Sequence, residues 1–264
     1  SKKIIFNNLE TISFHYIGKQ SIYSDTNDFG EKTFVIPKSI NFVNIKNLSI
    51  SNSPYLNLPD LKVFENLETL NVSNHLNENK ENYKTLPSFK DLKNFSIDMY
   101  YPTIKEEHKE PLKNLENSQN LESIDINGIH TTGYNPETDQ ERWSLSDVKL
   151  DKISSLKKLK QFKIDGVSLE DLKELKNLNN IEIFELTNPT VITKAMNSDE
   201  GTIDSPMSEE NLLFMKDMKK LTKLKLFLPR FYFEESNFNP KKLISLMNPN
   251  LKELNLMCGY EKDQ

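Results

Sequence analysis

One six-residue pattern governs what this chain can fold into: apolar, two variable positions, apolar, one variable position, apolar. It begins at Leu9 (LETISF), Ile45 (IKNLSI), Leu67 (LETLNV), Leu92 (LKNFSI), Leu121 (LESIDI), Leu159 (LKQFKI), Ile181 (IEIFEL), Leu221 (LTKLKL) and Leu251 (LKELNL). The nine copies are spaced by 36, 22, 25, 29, 38, 22, 40 and 30 residues. Each ends in period-2 alternation, which predicts a short strand with one face buried. Ahead of most copies an apolar residue recurs at every third position, as in Leu58, Leu61 and Phe64, in Leu112 and Leu115, and in Leu169, Leu172, Leu175 and Leu178. That spacing predicts a helical or 3₁₀ turn laying one stripe on the core. Ser168 with Asp171 supplies a capping-box start for the last of these. Ser208, Glu209 and Glu210 ahead of Lys219 and Lys220 predict a second helix, and Asn239-Pro240 opens a third before Leu243, Ile244 and Leu246.

A lone strand and turn cannot bury its apolar face, so each copy must supply a wall for the next. Nine parallel strands about 4.8 Å apart would build a sheet about 40 Å long. With LxxLxL repeated nine times over roughly residues 4–258, the chain resembles a leucine-rich repeat protein. Its 22-residue units are most similar to the short class of internalin-like bacterial proteins and the phosphatase-1 regulatory subunit. The resemblance implies an α/β leucine-rich repeat solenoid, a horseshoe with about nine short parallel strands on the concave face. Helical or 3₁₀ turns would form the convex face, with irregular insertions, in a single domain over residues 1–264. One departure stands out. The family pattern continues to an asparagine that ties neighbouring turns, and here that position holds Ile17, His75, Ile129, Val167 or Pro189. The asparagine ladder is therefore expected to be missing, with apolar stacking in its place.

Composition narrows the function classes. Hydrophobic residues make up 36% and charged residues 28%, which suits an elongated, surface-rich molecule. The net charge of −5, with both signs interspersed, does not mark a nucleic-acid binder. Of the 34 basic residues only Arg142 and Arg230 are arginine, which argues against phosphate recognition through the guanidinium fork. Lysine and asparagine are abundant and Ala195 is the only alanine, a composition expected of an AT-rich genome and, with it, a bacterial source. Cys258 is the single cysteine, so neither a disulfide framework nor a cysteine metal cluster is available. The apolar runs are too short for a membrane span. Both a cytoplasmic location and secretion with a removed leader stay open.

Catalytic signatures are missing. His15, His75, His108 and His130 are scattered without ligand spacing, and no GxSxG, Walker loop or GxGxxG occurs. Cys258 has no histidine nearby and reads as a structural thiol rather than a nucleophile. A non-enzymatic protein with no cofactor and no metal is expected.

Within the repeat the variable strand positions would face a partner. They carry Asp98, Asp125, Asp165 and Glu185 at mid-chain, answered by Lys163, with Asn127 beside them and Lys225 and Phe227 towards the C-terminal end. This group reads either as a docking patch for a basic partner or as a solvated face. Insertions follow the strands at residues 17–32, 128–143, 188–207 and 228–238. They should project from one edge, which in repeat proteins is often the binding face. Tyr134, Trp143, Arg230, Phe231 and Tyr232 are the edge residues suited to a binding hot spot, although aromatic runs also pack insertions onto their own scaffold. Sequons at Asn47, Asn71 and Asn94 fall inside predicted strands and read as accidental. The expectation is a protein-binding scaffold. Alternatives are an adhesin or glycan-binding module using Tyr232 and Phe233, or the recruitment segment of a larger protein. Self-association through an uncovered C-terminal repeat is a further possibility.

Overall fold

A computed structural model describes residues 4–5, 8–15, 36, 40–51, 58–73, 86–98, 112–127, 152–166, 175, 177–187, 209–229 and 240–259. Two short strands, β1 (Ile4–Ile5) and β3 (Ile40–Asn41), pair in parallel as a small separate sheet. The other nine are β2 (Thr11–His15), β4 (Asn47–Ser51), β5 (Thr69–Ser73), β6 (Asn94–Asp98), β7 (Ser123–Asn127), β8 (Gln161–Asp165), β9 (Ile183–Thr187), β10 (Lys223–Pro229) and β11 (Glu253–Gly259). They form one open parallel sheet in which spatial order follows sequence order. Each copy of the hexad thus delivers one strand, and the architecture is that of a solenoid-like repeat.

Parallel neighbours need a crossover, and among the described residues short helices lie in several of them. 3₁₀ helices occupy Leu58–Val63, Lys113–Asn117, Ile153–Ser155 and Glu209–Asp217, and an α-helix spans Pro240–Leu246. In a 3₁₀ turn residues i and i+3 eclipse, so an every-third apolar stripe points one way. Leu61, Phe64 and Leu67, then Leu112, Leu115 and Leu121, are accordingly at most 1% exposed. Ser168 and Asp171 lie outside the described residues.

The core runs the length of the stack. Inward-facing residues of the seven inner strands, from Leu48 and Ile50 to Leu224 and Leu226, are no more than 2% exposed. Each such side chain contributes about 1.5–3 kcal/mol by leaving water. Aromatic rings stack from repeat to repeat, with Phe162 and Phe184 at 6.0 Å and Phe214 edge-on to Phe184 at 5.9 Å. At both ends of the sheet the pattern is the same, but among the described residues no further strand flanks it. Ile12 and Phe14 of β2, and Leu254 and Leu256 of β11, are only partly buried.

Ile17, His75, Ile129, Val167 and Pro189, where the tying asparagine is expected to be missing, lie outside the described residues. A different set of amides, one residue ahead of the hexad, does tie the turns. Asn66, Asn120, Asn180 and Asn250 each donate a side-chain N–H to a backbone carbonyl of the preceding repeat, at Val43, Lys90, Lys157 and Lys219, over 2.7–3.2 Å. Where that position holds lysine, Lys158 and Lys220 reach back to the Asn120 and Asn180 side-chain oxygens at 2.6 and 2.9 Å. Apolar stacking is thus not the only tie between turns. It works beside this amide ladder. Gly166, at the end of β8, takes a φ of 79°, which a glycine tolerates without a Cβ clash, and donates to the Thr187 carbonyl at 2.9 Å. Among the described residues no helix is long and apolar enough to cross a membrane.

The stacked core makes two opposite predictions for urea unfolding. Phe162→Ala should cost about 3–5 kcal/mol, because the ring is fully enclosed between neighbours. Ser118 is 1% exposed at a position where other repeats carry Phe89 or Leu156, and its hydroxyl has no partner among the described residues. Ser118→Ala should therefore be neutral or stabilising by up to about 1 kcal/mol, since it removes a desolvated, unpaired group.

Candidate interaction face

Alternation places every second strand residue on the outward side of the sheet, away from the core. Parallel sheets usually bury both faces and read as unbroken apolar runs. These strands alternate, so one face is left polar and partly exposed. The residue-for-residue register lines the outward residues up in files that cross the strands. The central file runs Ser13, Ser49, Asn71, Ser96, Asp125, Lys163, Glu185, Lys225, Asn255.

In its second half this file is a chain of ion pairs. Lys163 Nζ lies 3.5 Å from Asp125 and 3.9 Å from Glu185, and Lys225 Nζ lies 2.8 Å from Glu185. Asp98 accepts a 3.0 Å hydrogen bond from the Asn127 amide, and Asp165 stands opposite Thr187. Eight of the expected site residues, Asp98, Asp125, Asn127, Lys163, Asp165, Glu185, Lys225 and Phe227, thus share one face. Two of the carboxylates expected to form an acidic patch, Asp125 and Glu185, are answered by lysines within the file. Burial pushes the Asp125 carboxyl above its usual range, against the opposing pull of Lys163.

The rest of the face divides by chemistry. The first strands present small polar groups, with Asn47 donating to the Thr11 hydroxyl at 3.3 Å, Asn94 to Thr69 at 3.5 Å, and His15 hydrogen-bonded to Ser51. Asn47, Asn71 and Asn94, the three sequon asparagines, all lie in strands on this face. The last strands bring Ile183, Phe227 and Met257 outward, half-buried, beside the 2.8 Å pair of Lys223 and Glu253.

The expected edge residues Tyr134, Trp143, Arg230, Phe231 and Tyr232 lie outside the described residues, as do the insertions at 17–32, 128–143 and 188–207. Leu228 and Pro229, expected to open the fourth insertion, instead continue β10, paired with Cys258 and Gly259 of β11. Leu228 is 1% exposed, so apolar burial extends the strand beyond the hexad.

A second file of charges occupies the residue after each hexad's first apolar position, a place the hexad leaves variable. It runs Glu10, Lys46, Glu68, Lys93, Glu122, Lys160, Glu182, Thr222, Lys252, with strict alternation of sign over the first seven. Lys46 pairs with Glu10 at 2.8 Å, Lys93 with Glu68 at 2.6 Å and Lys160 with Glu122 at 3.7 Å. Hydrogen bonding to Glu10 raises the Lys46 pKa, and hydrogen bonding to Lys93 lowers that of Glu68. The backbone beneath repeats the same polarity. The Glu10 carbonyl accepts from the N–H groups of both Lys46 and Asn47 at 2.8 and 2.9 Å, and every later repeat does likewise as far as Thr222. The sequence signal for this file is the alternating sign of the residue that follows the first Leu or Ile of each copy.

Among the described residues, no three of His, Cys, Asp and Glu gather as a metal-holding group. No protein-family model matches this chain, and no curated protein matches it either.

Asp125 yields a test by pH. Its folded pKa is raised, so between the ordinary carboxylate value and the raised one the folded state holds the extra proton. Stability attributable to this group therefore falls as pH rises through that window. Asp125→Asn should raise the melting temperature at neutral pH, and the gain should fade below the ordinary carboxylate range. Thermal melts of both proteins across the acid range measure it.

Proposed function

We propose that the chain is a leucine-rich repeat horseshoe that works as a non-enzymatic scaffold, binding a protein partner on its concave sheet and on the insertion-bearing edge. One observation supports this reading: an outward sheet face on which Asp125, Lys163, Glu185 and Lys225 are already paired from strand to strand. A surface held in this way loses little side-chain freedom when a partner arrives, which is the main avoidable cost of association. Because the central carboxylates are answered by Lys163 and Lys225, attraction by net charge is weak. Recognition instead rests on the position of each charge and on the half-buried Phe227, Met257 and Ile183 beside them.

The test must alter what a partner meets without breaking the file. The fourfold exchange Asp125→Lys, Lys163→Asp, Glu185→Lys, Lys225→Glu inverts every charge while keeping each pair opposite in sign. It should leave the melting temperature within a few degrees and abolish capture of a protein retained by the wild type in a pull-down read by mass spectrometry. Undiminished capture by the exchanged protein would remove the binding site from this face.

A further inference from the structure

The two outermost described strands, β2 and β11, are complementary in every row that ties one repeat to the next. Within the stack the carbonyl at the charged position of one repeat accepts two N–H groups from the following repeat. At the β2 end this leaves the Glu10 and Thr11 N–H groups, and at the β11 end the Lys252 carbonyl, without backbone partners among the described residues. Donors sit at one end and the matching acceptor at the other. The amide ladder has the same polarity. Asn8 holds the position from which Asn66, Asn120, Asn180 and Asn250 donate backwards, and Pro249 holds the position of the accepting carbonyls. The charged file begins with exposed Glu10 and ends with exposed Lys252, so the alternation would continue across a junction. Partly buried Ile12 and Phe14 at one end answer partly buried Leu254 and Leu256 at the other.

We infer that a second copy of this chain docks head to tail, β2 of one molecule adding in parallel to β11 of the next, with Thr11 opposite Glu253 and His15 opposite Met257. Pairing of β11 with a second β11, outward faces on the same side, would run the two strands antiparallel and break the parallel rows that the head-to-tail contact continues. The head-to-tail contact is heterologous: it uses a different surface on each partner and leaves one of each free, so it extends rather than closes. A concentration-dependent series of species is expected, not a lone dimer. The junction also lines up the outward faces of successive copies into one longer sheet, which would multiply whatever the face binds.

Sedimentation velocity over a concentration series reads this directly. The wild type should gain mass with concentration. Lys252→Glu and Glu10→Lys, each placing like charges at every junction, should weaken association roughly tenfold. Mixed in equal amounts, the two variants should associate again, because both kinds of junction between them are then opposite in charge. Thr11→Pro removes an N–H that points away from β4, so it should stop association while leaving the far-ultraviolet circular dichroism unchanged. A wild type that stays monomeric throughout overturns the inference, as does association that is indifferent to all three substitutions or is not restored by mixing.

Discussion

Everything in this structure depends on a wall shared between consecutive repeats. A strand of five residues with two or three inward apolar side chains cannot hold itself together in water, and neither can the single turn that precedes it. Placed side by side in register, each strand closes the flank of the last, and side chains such as Phe95, Phe162 and Phe184 become fully enclosed. The gradient of burial along the sheet shows the dependence plainly. Equivalent residues pass from enclosed in the inner strands to partly exposed at β2 and β11, although the amino acids are alike. Stability in such a stack is a sum over neighbours, not a property of any one repeat.

Similar repeats carry a hazard, because strands of similar sequence can pair out of order. The charged file opposes this. With Glu and Lys alternating from Glu10 to Glu182, pairing a strand with its next-but-one neighbour would set like charges opposite. Single exposed ion pairs stabilise little, yet a run of them discriminates between arrangements that bury the same apolar area. The amide ladder adds direction, since its donors always reach back to the preceding turn. Apolar burial drives the stack, while charge and amide rows select its order.

Much of this was legible in the residues. The hexad alone located all nine strands of the sheet and their inward faces, because a period of two fixes the face and the apolar positions fix the register. The every-third stripe foretold the 3₁₀ turns at Leu58–Val63 and Lys113–Asn117. What escaped was lateral. Reading along one copy, Lys46 or Asn66 is only a polar residue at a variable position. The partner lies 36 residues away for Lys46 and 23 for Asn66, and only stacking the copies brings the two together. The charges of the central file show the same limit: that Lys163 lies between Asp125 and Glu185, and Lys225 beside Glu185 on the next strand, follows only from the order of the strands.

The shared wall also predicts how the stack should loosen, from its ends inward. Native-state hydrogen exchange, followed by mass spectrometry in dilute protein, tests this most directly. Amides of β6 to β9 should exchange slowest, with protection falling towards β2 on one side and β11 on the other. Equal protection in the outermost and central strands would contradict it, for the end repeats would then hold their structure without a neighbour to enclose them.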